Sequence, residues 1–325
     1  MTTQSKCFFN FTREFSNRVG NMTSFVWASY CGLWHIHKTG NALSNLSSNP
    51  EWKKIEDYLV DGVPDRGGID LRHITSKQWP EHQNAFSEFI LMQGSILYEE
   101  WCLSLASVTN TPGKKVKAET FQFPSGATSQ KWTNWRALDM LPHGTVAESR
   151  FLKQEVQPGL LALYASNITH VDALLTWYRF FKELRNSMIH YGGAVRPENI
   201  TAYTKARLTT LKTIGMKRDF SGTAPVLGTK IQLTLSDAVL MLGIIQRLAY
   251  AFDAKYCHTQ LAEAALQNWL KDALVIIRPP VETTGIRKTT WIKNFLSHNG
   301  GITPKSLVAA EQWLKNSGLV HIKTV

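Results

Sequence analysis

Four cysteines in 325 residues, Cys7, Cys31, Cys102 and Cys257, are too few and too scattered to frame a fold. No two form a CxxC pair, which leaves a disulfide scaffold or a zinc ribbon without its ligands and reads as reduced thiols. Charge is sparse as well, Asp, Glu, Lys and Arg making up 19% of the chain. A phosphate-cradling GxxxxGKS/T loop, a GxGxxG turn after a strand and a GxSxG elbow are all missing, so nucleotide-driven, dinucleotide and serine-hydrolase chemistry have no support. No run reaches the roughly 18 apolar residues of a membrane-crossing helix. The nearest, Ser24 to His37, is interrupted by polar groups. The same region lacks the basic, apolar and small-residue parts of a signal peptide. Together these absences set the expectation of an unprocessed, cytoplasmic chain with no membrane partner, no cofactor and no metal.

What is present is apolar and basic. Hydrophobic residues reach 43%, enough for a sizeable core, and 36 Lys and Arg outnumber 25 Asp and Glu for a net charge of +11. Such a balance suits a polyanion, nucleic acid before an acidic membrane surface. Eleven Trp and fifteen Phe could stack bases, but most stand at helical spacing and read as core.

The chain divides by pattern into three parts. Residues 1–80, broken by Gly, Asn, Ser and Pro, are expected to form short helices and irregular segments. Residues 81–277 read as a helical bundle. Its first helix spans His82 to about Val108, with Phe86, Phe89, Ile90, Ile96, Leu97 and Trp101 in an i, i+3, i+4 rhythm. An insertion at about 109–150 carries Lys114, Lys115 and Lys117, with alternating Phe121 and Phe123 suggesting a small hairpin. Periodicity resumes at Thr169, a candidate cap, and runs to Gly192-Gly193; a further helix covers Pro197 to about Thr213, and the longest apolar stretch runs from Ala238 to about Leu274. Residues 278–325 begin at Arg278-Pro279-Pro280 and read as helix, turn, helix, strand, with Thr303 and Pro304 starting the second helix and Leu319 to Ile322 alternating like a strand. This small basic unit resembles a helix-turn-helix or winged-helix module.

One stretch carries chemistry: Glu183-Leu184-Arg185-Asn186-Ser187-Met188-Ile189-His190-Tyr191-Gly192-Gly193. On a helix, Arg179, Glu183, Asn186 and His190 fall in one polar stripe and Tyr178, Phe181, Leu184 and Met188 in an apolar one. Arg185 and His190 lie about 140° apart around the axis, so one straight helix does not aim both at a single atom and a second chain or a helix end must complete the site. These residue types suit metal-free RNA cleavage. His can move a proton at a ribose 2′-hydroxyl or a leaving oxygen, Arg can hold the phosphate, and Asn can fix geometry. The plainer reading is that Arg185 and His190 are cations favoured by a helix C-terminal dipole and that the stripe is simply a solvated face.

The string Arg185-Asn186-Ser187-Met188-Ile189-His190 resembles the signature of the HEPN superfamily, an Arg followed by a polar residue and then a His after four to six intervening residues. The resemblance covers about residues 82 to 275. It implies a mainly α, HEPN-like helical bundle that acts as a homodimer, with Arg and His of both protomers at a shared cleft. It further implies a metal-independent endoribonuclease acting through 2′-hydroxyl attack, of the kind deployed as toxins or antiviral-defence effectors, with a regulatory or defence-system protein as a possible partner. Arg185, Asn186 and His190 are then the catalytic set, with Glu183 tuning His190. Arg179, Lys182, Lys114, Lys115 and Lys117 are candidates to grip the RNA backbone. Some toxins of the superfamily carry a modified Tyr two residues after the His; here Tyr191 follows directly and Gly192 fills that place, so that regulation does not carry over. The alternative is a non-catalytic nucleic-acid-binding regulator or scaffold that uses the C-terminal unit. His35-Ile36-His37, whose rings would diverge on helix or strand, has no third ligand nearby and is not read as a metal site.

Overall fold

A computed structural model describes residues 7–46, 48, 50–63, 70–109, 116–123, 147–276 and 285–320. Among the described residues the helices are α1 Asn10–Ser44, α2 Trp52–Val60, α3 Leu71–Ser76, α4 Trp79–Thr109, α5 Gln157–Leu163, α6 Ala165–Thr169, α7 Val171–His190, α8 Pro197–Ala206, α9 Leu235–Tyr256, α10 Gln260–Ile276, α11 Gly285–Asn299 and α12 Leu307–Asn316. No strand forms among them, and β pairing is limited to the isolated bridges Glu148 with Thr259 and Ala194 with Lys230. The chain is mainly α.

The bundle is organised around α9. It is apolar around most of its circumference, with Ser236, Gln246 and Arg247 on the remaining side, and a helix of that kind has to be largely enclosed. Met241, Ile244, Ile245, Leu248, Ala249 and Phe252 are fully buried, packed against α4, α7 and α1. Among the described residues this helix, not Ser24 to His37, is long and apolar enough to cross a bilayer, and two thirds of its most apolar part is buried inside the bundle. Close approach of α4 to α9 depends on Gly94, where a β-carbon would come within 2.6 Å of Leu242 Cδ2.

Several sequence expectations need correction. In the N-terminal region α2 and α3 are short, as expected, but residues 10–44 are not broken up: α1 runs for 35 residues through Gly20, Gly32 and Gly40. Helix propensity costs about 1 kcal/mol per glycine, and burial of Phe15, Val19 and Val26 against the bundle outweighs it. The helix after Pro197 ends at Ala206, because Trp177 Nε1 donates to the Thr209 carbonyl and Asp219 accepts from the Leu211 amide, drawing the chain out of helical register. The apolar stretch from Ala238 to Leu274 is two helices, broken at 257–259 where Ser149 N donates to His258 O and Gln260 N to Ala147 O. Thr169 does not cap α7; its hydroxyl donates to the Ala165 carbonyl and closes α6. Phe121 sits in a 3-10 turn at Ala118–Phe121 rather than a hairpin, wedged against Phe252 and Tyr256.

The tail also differs in detail. Ser306, not Thr303, caps its second helix by accepting from Ala309 N, while Glu155 accepts from Ser306 N and takes the Lys305 amide on its carbonyl. Leu319 and Val320 are not in a strand, and His321 and Ile322 lie outside the described residues, as do Arg278-Pro279-Pro280 and most of the insertion. Far from standing alone, the tail packs on the bundle through stacked Phe151 and Trp313 and through Trp313 Nε1 donating to Glu263.

The start of α1 is fastened by a buried acid. Asp253, fully buried on α9, accepts from Phe8 N at 2.6 Å and from Phe9 N at 3.0 Å. Burial raises its carboxyl to about 6, against the pull of those amides, Thr12 and Arg13. Its unfolded value is about 3.9, so the folded state holds its proton longer and this contribution to stability is lost as pH rises from about 4 through about 6. Urea titrations between pH 4 and pH 7 should show wild type losing up to about 3 kcal/mol that Asp253→Asn does not lose. Equal slopes for the two proteins would contradict the assignment.

Candidate active site

Helix α7 positions the motif. Leu174, Leu175, Trp177, Tyr178, Phe180 and Phe181 are all buried, so its first turns are enclosed on nearly every side, while Ile189 and His190 in the last turn are exposed. Gly192 and Gly193, both with positive φ (60° and 79°), then reverse the chain, and Tyr191 N and Gly193 N return to the Ser187 carbonyl. His190 thus stands at the mouth of the bundle.

The polar stripe of α7 is covered in its first half and reaches solvent only at its end. Arg179 pairs with Glu183, which is buried, and its guanidinium lies 4.4 Å from the centre of the Phe123 ring. Lys182 is buried too: its ammonium donates to Gln122 Oε1, lies 3.1 Å from Glu99 Oε1 on α4 and sits 4.5 Å above Phe123. Burial pulls the Lys182 ammonium below the usual lysine range and Glu99 opposes that shift. Burial likewise lowers Arg179, with Glu183 working against it. These cations are spent on folding.

Arg185 is held more loosely. Its Nη1 donates to Asn186 Oδ1 at 3.3 Å and its Nη2 lies 3.9 Å from Glu99 Oε2, while Nε is buried with no partner. A guanidinium has five N–H donors, so several remain for an incoming anion. Beyond the helix end, Arg196 stacks on the exposed Tyr191 ring at 3.8 Å and pairs with Glu198 at 3.4 Å. Asn199 on α8 locks this turn: its Oδ1 accepts from Ser187 Oγ at 2.9 Å and from Arg196 N at 2.7 Å.

The expected residues therefore separate. Arg185, Asn186 and His190 occupy the last two turns of α7, the first two in mutual contact and His190 beyond them. Glu183 is committed to Arg179, two turns from His190, and is not placed to tune it. Arg179 and Lys182 are internally partnered and do not offer a free grip on a nucleic-acid backbone. Lys117 is exposed, while Lys114 and Lys115 lie outside the described residues. Sequence reasoning missed Glu99 and Asn199. A carboxylate inside the apolar run Leu97-Tyr98-Glu99-Glu100-Trp101 was a signal that α4 answers a buried cation, and Pro197-Glu198-Asn199 has the form of a helix start with a polar residue at its third position.

Among the described residues no three of His, Cys, Asp and Glu gather as metal ligands, and His37 instead packs on Trp79 and His82. Comparison of the chain with protein-family models, with curated proteins and with solved structures gave no match.

Removing Glu99 leaves Lys182 and Arg185 facing low dielectric without their carboxylate. Glu99→Gln should cost about 1–3 kcal/mol, less than a fully buried pair because Glu99 is 29% exposed. Adding Lys182→Met should recover most of that loss, since an apolar isostere needs no counter-ion. Chemical denaturation of the single and double variants measures it, and additive losses would exclude the charge account.

Proposed function

We propose that this protein is a metal-independent, HEPN-type endoribonuclease. One observation carries the reading: a helix buried along most of its length delivers an exposed His190 at its end, with Arg185 one and a half turns earlier, steadied by Asn186 and Glu99 and keeping donors to spare. In the reaction the 2′-oxygen of a ribose attacks the adjacent phosphorus and the bond from phosphorus to the 5′-oxygen breaks, leaving a 2′,3′-cyclic phosphate and a 5′-hydroxyl. A proton leaves the 2′-hydroxyl and another reaches the 5′-oxygen, and His190 serves one or both transfers. Arg185 balances the charge that develops on the phosphoryl oxygens, and Asn186 fixes the plane of its guanidinium.

Because Arg185 and His190 point about 140° apart on one helix, the reading includes a homodimer in which one protomer's Arg185 serves a phosphate attacked near its partner's His190. A cytoplasmic toxin or antiviral-defence effector restrained by a partner protein fits such an activity. The reading of a DNA-binding regulator is weakened at the C-terminal unit, where Glu311 pairs with both Lys288 at 2.6 Å and Lys315 at 2.7 Å and so takes up two of the cations that would contact phosphate.

Incubation of the wild type with mixed cellular RNA in EDTA should yield fragments with cyclic phosphate ends. His190→Ala should lower the rate by about 10²-fold or more without shifting the melting temperature, since His190 is exposed and outside the core. Cleavage retained by His190→Ala would overturn the assignment.

A further inference from the structure

A cavity of about 250 Å³ opens beside the motif, between α7 and the loop at 220–232. Its lining is mixed: a buried apolar floor of Phe180 and Leu184 from α7, Val195 from the turn after His190 and Phe220 from the loop, beneath polar loop groups. At its rim stand Thr223, Lys230 and Gln232, all exposed. We infer that this cavity receives a single nucleobase of the RNA, one flanking the cleaved phosphodiester. The inference rests on the nuclease reading above and specifies its substrate.

Position comes first. Leu184 immediately precedes Arg185, and Val195 follows His190 by five residues, so the cavity adjoins the helix end that carries the motif, without being lined by Arg185, Asn186 or His190 themselves. The loop is fixed to that end by backbone hydrogen bonds: Val195 N to Thr229 O at 2.8 Å, Gly228 N to Val195 O at 3.0 Å and Ile231 N to Gly193 O at 2.8 Å. Its other side is held by buried Asp237, which accepts from Ser221 N at 2.7 Å and Ser221 Oγ at 2.9 Å. A wall tied at both ends is formed before the ligand arrives, which spares the cost of ordering it on binding.

Size and chemistry narrow the occupant. Sites for drug-sized ligands run about 300–1,000 Å³, so this cavity takes one ring system rather than an extended molecule. The buried Phe180 and Phe220 rings meet edge to face, with centroids 5.3 Å apart at 89°, so the floor of the cavity is firm and only a narrow edge of Phe220 faces an occupant. Gly222 leaves room for the Phe220 ring, since a β-carbon there would come within 2.4 Å of its Cζ. At the rim the Thr223 hydroxyl and the Gln232 amide can each donate and accept toward a base edge, and the Lys230 ammonium suits the adjoining phosphate.

The test is calorimetric titration of the full chain with each of the four nucleoside 3′-monophosphates, beside sequencing of the cleavage sites in mixed RNA. Ala224→Trp, at an exposed position on the cavity wall, fills the space from the loop side and leaves the core alone. Wild type should bind one nucleotide about tenfold more tightly than the poorest, the scale of one or two hydrogen bonds to a base edge, and Ala224→Trp should lose that preference. Gln232→Ala, which removes only a rim group, should narrow the discrimination about threefold and guards against a misfolded tryptophan variant. Cleavage sites should share the preferred base.

The two hypotheses fail separately. Cleavage with no base preference, or affinities for all four nucleotides unchanged by Ala224→Trp, overturns the pocket and leaves the nuclease standing. Discriminating binding that Ala224→Trp abolishes, without any cleavage by wild type, upholds the pocket and overturns the nuclease.

Discussion

Enclosure of two helices, α9 and most of α7, is the constraint on which the rest of the structure depends. A backbone buried in this way satisfies its own hydrogen bonds only while it stays helical, so α7 cannot bend or unwind until it leaves the core. It leaves at Ile189 and His190, and the left-handed Gly192 and Gly193 turn the chain there because side chains disfavour that conformation. The place where a histidine meets solvent is therefore set by packing many residues away. Gly94, which lets α4 close on α9, belongs to the same arrangement, since α4 also supplies Glu99.

Burial on that scale brings charges inside with it, and the bundle handles them in pairs. Arg179 faces Glu183, Lys182 faces Glu99, and the ring of Phe123 covers both cations. Pairs of this kind offset desolvation more than they add stability. Along α7 the pairing loosens toward the exit, from direct contact at Arg179 to 3.9 Å at Arg185. A cation that is oriented but not neutralised at close range is the one able to receive a phosphate. The basic balance of the chain therefore locates little by itself, because several of its lysines and arginines are structural.

Much of the fold was legible in the sequence because periodicity survives wherever a helix has one dry and one wet face. The stretch from Phe86 to Trp101 and the end of α7 at Gly192-Gly193 are of that sort. What escaped was whatever tertiary contacts decide. The glycines and asparagines of residues 10–44 read as breakers, yet α1 persists because the bundle buries Phe15, Val19 and Val26 and because Asp253, some 240 residues away, holds Phe8 and Phe9 at its start. In the tail, Glu155 moves the helix start from Thr303 to Ser306. At the site, the motif residues were visible in order, but the spacing of charges on α7 suggested a wet stripe; around Glu183 it is covered because Arg179 and Phe123 lie against it, which no local pattern reveals.

That difference changes what the motif means chemically. Had Arg179, Glu183, Asn186 and His190 formed a solvated stripe, the motif would be one charged face among many and His190 an ordinary surface residue. With Arg179 and Glu183 paired beneath Phe123, Arg185 and Asn186 are the partly buried polar groups that follow along the helix, with His190 beyond them at the surface. The turn that follows is held by Asn199 from α8 and paired with the loop at 226–231, so the groups around His190 are fixed by hydrogen bonds on both sides rather than by contacts with the solvent face. A reacting phosphate needs such fixed surroundings, because charge stabilisation is effective only where the donors need not reorganise as the charge develops.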